Sequence, residues 1–276
     1  MEKKQKFKLQ PEFYIALVIM LICSIALFFI ADHEDKVASA NQVIISGDNE
    51  FAKQQIDNLW YIDGVDTNHY TVLMTACASG NVEMIQYIVD LGADVNYSPP
   101  GMPTPLELYC QSGYMGGHQI LDVLFNAGLK QSKYTFKPAL FVLADNFFWL
   151  EDDQKTVVTD VAIRLLQKGA PMGYEKTTLL HESAKADMDD LFYTIVHTNE
   201  GLYMLNVKNQ DGDTPWSVAV KNGATGVQKV IRALEKEYED SQNPDKEDEK
   251  TELIPQPTEP EYEEKPTTNA TIVGQE

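Results

Sequence analysis

The stretch Thr71-Val72-Leu73-Met74-Thr75-Ala76-Cys77-Ala78-Ser79-Gly80 returns 33 residues later as Thr104-Pro105-Leu106-Glu107-Leu108-Tyr109-Cys110-Gln111-Ser112-Gly113. A third copy is Thr214-Pro215-Trp216-Ser217-Val218-Ala219-Val220-Lys221-Asn222-Gly223, and a weaker one is Thr178-Leu179-Leu180-His181-Glu182-Ser183-Ala184. A repeat of this period confines the chain to a stacked array. One such unit is too small to bury its own apolar face, so each must cover its neighbour.

The residues within each copy have local physical roles. Thr71, Thr104 and Thr214 stand where a hydroxyl can accept from the free N–H groups of a first helical turn. Pro105 and Pro215 follow at the first helical position, where a missing N–H is harmless. Gly80, Gly113 and Gly223 are expected to end the helix with positive φ. Met84, Ile85, Ile88, Val89 and Leu91 then follow helical spacing and give a second helix its buried face.

With the closure Leu91-Gly92-Ala93-Asp94-Val95-Asn96 and the opening Asn206-Val207-Lys208-Asn209-Gln210-Asp211-Gly212-Asp213-Thr214-Pro215, this pattern resembles the ankyrin repeat. The resemblance implies an all-α solenoid of turn, inner helix and outer helix. Five repeats are expected, over about 66–98, 99–131, 132–172, 173–207 and 208–235. Repeat two carries a three-residue insertion. Repeat three is longer than the template and opens on a degenerate Lys137-Pro138-Ala139-Leu140. Repeat four ends its inner helix at Asp187 where Gly is usual. A single helix over Asp48–Trp60, capped by Asp48 or Asn49, would cover the first repeat. The array as a whole is placed at 48–235.

Ahead of it, Phe13 to Ala31 contain no charge, Pro or Gly. Nineteen helical residues rise about 28 Å, close to the hydrocarbon thickness of a bilayer. Lys3, Lys4, Lys6 and Lys8 precede this stretch, and Asp32, Glu34 and Asp35 follow it. The lysine excess places residues 1–12 in the cytoplasm and the array in the periplasm or extracellular space. The stretch reads as a single membrane anchor over 13–31 with a tether over 32–47. The alternative is a leader cleaved after Ala38-Ser39-Ala40, although leaders have shorter apolar regions of about 7–15 residues.

The chain has 42 Asp and Glu against 22 Lys and Arg, a net charge of −20. That balance argues against nucleic acid and for a partner with a basic patch. Residues 236–276 combine five prolines with many acids and few large apolar groups, the composition of a disordered tail. No hydrolase, metalloprotease or phosphate-loop motif is present, and the five histidines lack metal-ligand spacing. No enzyme activity, cofactor, metal or small-molecule substrate is expected. His181 falls on the Thr-Pro-Leu-His position of the ankyrin pattern, where the resemblance implies a structural hydrogen bond to the next turn. Cys77 and Cys110 occupy one slot of consecutive repeats. Stacking would hold these slots about 10 Å apart, too far for a disulfide, so two buried thiols are expected.

Candidate partner-binding residues fall in three groups. On finger-like loops between repeats lie Tyr97, Met102, Tyr134, Phe136, Tyr174 and Lys176. In the ankyrin family such fingers line the binding face together with the inner helices, which here offer Thr75, Glu107, Leu108, Gln111, Glu182 and Lys185. The overlong repeat three adds Phe147, Phe148 and Trp149 followed by Glu151, Asp152 and Asp153, an aromatic anchor with an acidic rim. A basic head, one span and a small acidic domain also resemble the layout of anchored immunity proteins, which sequester an incoming toxin. The expectation is a non-catalytic binding protein of that type, displayed outside the cytoplasmic membrane and gripping its partner on the concave face of the repeats. An envelope scaffold and a host-directed effector are the alternatives.

Overall fold

The computed structural model describes residues 11–131, 137–147 and 150–242. Two units divide the chain, Met1–Ala233 and Leu234–Glu276. Of the second, the described part is Leu234–Gln242, helical to Ser241 and exposed except at half-buried Leu234.

The first unit is an array of helix pairs. Helix α1 runs unbroken from Pro11 to Ser46, about 54 Å at 1.5 Å per residue. It is followed by α2 (Asn49–Asp57), α3 (Val72–Ser79), α4 (Val82–Asp90), α5 (Pro105–Leu108), α6 (Gln119–Asn126), α7 (Ala139–Phe147) and α8 (Asp152–Gln167). A two-residue ribbon, β1 (Gly173–Tyr174) with β2 (Thr177–Thr178), precedes α9 (Leu179–Ala186), α10 (Asp189–Val196), α11 (Gly201–Met204), α12 (Pro215–Asn222) and α13 (Thr225–Ser241). The end of α1, then α3, α5, α7, α9 and α12, touch in that order as one layer. Helices α2, α4, α6, α8 and α10 form the second layer, each against the next. The described residues thus form five helix pairs behind an N-terminal pair. Leu73, Met74, Ile85, Ile88, Leu121, Phe141, Val161, Leu180 and Phe192 lie within 1% of full burial between the layers.

The caps are those the local chemistry dictates. Asp48, Thr71, Thr104 and Thr214 each accept from an N–H of the first turn, and Pro105 and Pro215 open their helices. Asp187 takes the left-handed conformation at φ 55°, as Gly80 and Gly223 do at 66° and 68°. Gly113 departs from the expectation, with φ −91°. The insertion in repeat two is absorbed by a π-turn over Tyr109–Gly113 and a 3-10 turn over Tyr114–Gly116, and the positive φ moves to Gly117. What Gly113 provides is room. A Cβ there would meet the Cys77 carbonyl oxygen.

Two further expectations change. The array is not wholly helical, because the ribbon Gly173–Thr178 turns through Glu175 at φ 53°. Residues 32–46 are helix, not tether. Nothing between Ala31 and Ser46 breaks the helix until Gly47 at φ 81°. His33, Val37, Ala40, Asn41 and Ile44 are buried, and their 4-3-1-3 spacing puts them on one helical face. This face packs on α2 and α3. The cap on the first repeat is therefore a helix pair, the end of α1 with α2, and not a single helix.

Candidate protein-interaction surface

The loops between pairs project as fingers, and side chains lace each finger to the next. Asp94 N–H donates to Asp63 Oδ1 at 3.0 Å. Asn96 bonds the following finger twice, donating to Gly128 O at 3.0 Å and accepting from Lys130 N–H at 2.8 Å. Gln131 Nε2 donates to Lys168 O at 2.8 Å. His181 Nε2–H donates to Val207 O and Asp213 O at 3.1 and 3.0 Å, while its Nδ1 accepts from Thr178 N–H. This is the turn-bracing role the sequence pattern implies for that position. Burial holds the imidazole pKa below its ordinary value, the two carbonyl bonds opposing it. Cys77 and Cys110 are buried and free, and desolvation raises both thiols well above their ordinary range.

On the fingers, Tyr97 and Met102 are half-buried and Lys176 is exposed. Tyr174 is half-buried, its ring 5.8 Å from that of Phe141. On the inner layer Gln111 and Lys185 are exposed, and Glu182 is half-buried beside Thr177 at 3.3 Å. Three expected groove residues are inside the fold. Thr75 and Leu108 are each 5% exposed, and Glu107 is 4% exposed. Glu107 closes a capping box, accepting from Thr104 N–H at 2.7 Å and donating its own N–H to Thr104 Oγ1 at 3.2 Å. Glu107 still lines a cleft of about 230 Å³ with Pro103, Gln111, Val142, Asp145 and Asn146. Asp145 and Asn146 were not foreseen there. Asn146 Nδ2 donates to Gln111 O, and Asp145 pairs with Lys137 at 2.5 Å.

In repeat three, Phe147 is 5% exposed. Glu151, Asp152 and Asp153 are exposed at the start of α8, Glu151 as its N-cap with Gln154 completing the box. Acids there are favoured by the helix dipole, so their grouping has a structural cause. Phe148, Trp149, Tyr134 and Phe136 lie outside the described residues. Phe147 instead floors an open cleft of about 450 Å³ with Ile163 and Ala186, lined by Asp160, Asp187, Asp189 and Asp190 against Lys155. These four acids come from α8, α10 and the turn before α10. No sequence pattern joins them; the stacking of repeats three and four does.

The family model for the ankyrin repeat matches residues 68–96. Among solved structures, the ankyrin repeat domain of human ASB11 aligns over 70% of this chain and 81% of its own, with TM-score 0.56 and 18% identity. An ankyrin repeat domain from Acinetobacter baumannii AYE aligns over 71% of this chain and 97% of its own, with TM-score 0.56 and 17% identity. No curated protein matches the sequence. The fold is the ankyrin-repeat fold.

Proposed function

We propose that this chain is a non-catalytic protein-binding module, held at a membrane by α1, that grips a basic partner on the surface of its repeats. In the fuller reading the partner is an incoming toxin, which the array sequesters outside the cytoplasmic membrane. The observation that carries the binding reading is the cleft between repeats three and four. An apolar floor of Phe147, Ile163 and Ala186 is rimmed by Asp160, Asp189 and Asp190, with Lys155 as the one cation on its lining. Such a rim suits the long side chain of Lys or Arg, whose stem covers the floor while the head meets carboxylates.

The anchoring reading is supported by Tyr14–Ile30, exposed on every face of α1 and long and apolar enough to cross a bilayer. Lys3, Lys4, Lys6 and Lys8 ahead of it favour an N-terminus in the cytoplasm. One observation favours the scaffold alternative: α1 enters the array without a flexible joint. Sequestration needs only a tether, whereas assembly of an envelope complex gains from a fixed orientation.

The test is cross-linking of the full chain in envelope membranes, with identification of what it captures. Asp189→Lys with Asp190→Lys should weaken capture of a specific basic protein at least about tenfold, since like charges now face it. Unchanged capture by that variant would remove the cleft from the interface. A captured toxin-like protein supports neutralisation, and a multi-protein envelope assembly supports scaffolding. Turnover of small substrates by the purified chain would end the binding reading.

A further inference from the structure

We propose that Trp60 and Tyr61, near the start of the first finger, insert into the headgroup layer of the bilayer, giving the array a second membrane contact beside α1. The inference rests on the reading of α1 as a membrane span. The span's apolar surface ends at Ala31. His33 follows about 3 Å further along the axis, and there the helix stops being free: the imidazole is 5% exposed.

Its cover is the first finger. His33 Nε2 lies 3.1 Å from Tyr61 O, and its ring centroid is 4.6 Å from that of Trp60. Gly64 closes on the same imidazole so tightly that a Cβ would lie 2.1 Å from Nε2. Two turns on, Asn41 Nδ2 donates to Asp66 Oδ2 at 3.0 Å and to Tyr70 O at 3.3 Å, and Asp66 Oδ1 accepts from Asn68 and Tyr70 N–H. The finger is thus clamped to α1 at two levels and cannot swing away from the end of the span.

What the clamp leaves outside is aromatic. Trp60 is 68% exposed and Tyr61 46%, with ring centroids 6.0 Å apart. Rings with an apolar body and a polar edge favour the membrane interface. The occupant is the lipid interface, because the 17 residues from Tyr14 to Ile30 that precede the clamp on the same helix are all exposed and end within one helical turn of His33. Surrounding charge does not provide the attraction. In the sequence beside the clamp Asp32, Glu34, Asp35 and Asp63 outnumber Lys36, and Asp32 pairs with it at 2.7 Å. Insertion should therefore not require anionic lipid.

The test uses the full chain reconstituted in phosphatidylcholine vesicles, with Trp149→Phe and Trp216→Phe leaving Trp60 as the single tryptophan. Lipids brominated near the glycerol level should quench most of its emission, and lipids brominated at the chain ends should quench little. Wild type minus Trp60→Phe gives the same reading without the double variant. Adding phosphatidylglycerol should leave the quenching unchanged. If the chain stays with the vesicles through an alkaline wash but Trp60 is not quenched at either depth, α1 spans and the proposal is overturned. Trp60 shielded from aqueous acrylamide yet untouched by bromolipid would give the loop to a protein and likewise overturn it. A chain that washes off overturns the span reading and this inference together.

Discussion

Gly113 brings its backbone so close to Cys77 that a Cβ added to it would lie 1.8 Å from the Cys77 carbonyl oxygen. Two inner-layer segments touch here main chain to main chain, within the π-turn that absorbs the insertion of repeat two. Gly113→Ala must separate them. It should cost about 1–3 kcal/mol or more through overpacking. Gly92→Ala is the contrast, since nothing lies within 4 Å of its Cβ. It should cost only the strain of φ 90°, about 1–2 kcal/mol. Urea midpoints of the full chain in detergent micelles check the order.

His181 makes stability depend on pH in a defined window. Burial keeps its pKa below 6.5, so the folded state holds it neutral while the unfolded chain protonates first. His33 is shifted the same way, by burial against a backbone bond to Tyr61 that opposes it. A lowered histidine contributes stability that is complete above about pH 6.5 and is lost as pH falls through the folded value. The carboxylates held low by partners, Asp122 by Arg164 and Asp213 by Lys221, start from 3.8 and titrate below this window. Thermal unfolding should therefore show a Tm that falls as the pH drops below about 6.5. His181→Leu should lower the neutral-pH stability by about 1–3 kcal/mol, because Val207 O and Asp213 O lose their donor. It should also flatten the slope. An unchanged slope would assign the pH dependence to other groups.

Asp187 serves two elements. Its left-handed backbone ends α9, and its carboxylate accepts from Val227 N–H at 3.0 Å and Gly226 N–H at 3.3 Å, at the first turn of α13. Asp187→Gly keeps the backbone and loses the cap, at a cost of about 1 kcal/mol. Asp187→Ala loses both and should cost about 2–3 kcal/mol. Asp187→Asn should come nearest to wild type. Equal effects of Gly and Ala would show that the left-handed backbone imposes no cost there.

What the sequence made legible is what rests on neighbours within a few residues. Thr71, Thr104 and Thr214 cap as their positions dictate, and Asp187 substitutes for Gly as its place in repeat four implies. The resemblance to the ankyrin pattern implied the bond of His181 to the next turn. Contacts between repeats were harder to read. Glu107 looks like any polar residue on an inner helix, and only the closed box with Thr104 shows why it is buried. The acidic cleft draws Asp160, Asp187, Asp189 and Asp190 from across a repeat boundary. The end of α1 was hidden for a different reason. The charged run Asp32 to Lys36 suggests a tether, although Val37, Ala40 and Ile44 fall on one helical face, which His33 and Asn41 share.

That face decides where the folded array begins. Val37, Ala40 and Ile44 are at most 1% exposed, and the contact is fixed in register by Asn41 on Asp66. A chain starting at Asp48, as repeat pattern alone would set it, leaves Val72 and its neighbours on α3 uncovered on that side. Burial of a Val or Ile is worth about 1.5–3 kcal/mol each, so the loss is on the order of 5 kcal/mol, comparable with a domain's whole stability. A chain starting at Asp32 keeps the face and drops the lipid-facing half of the helix. We expect the 32–242 fragment to be soluble, monomeric and cooperative in thermal unfolding, and the 48–242 fragment to aggregate or melt without a sharp transition. Circular dichroism melts with size-exclusion chromatography on the two fragments decide it. Equal stability would mean that the end of α1 merely lies against the array.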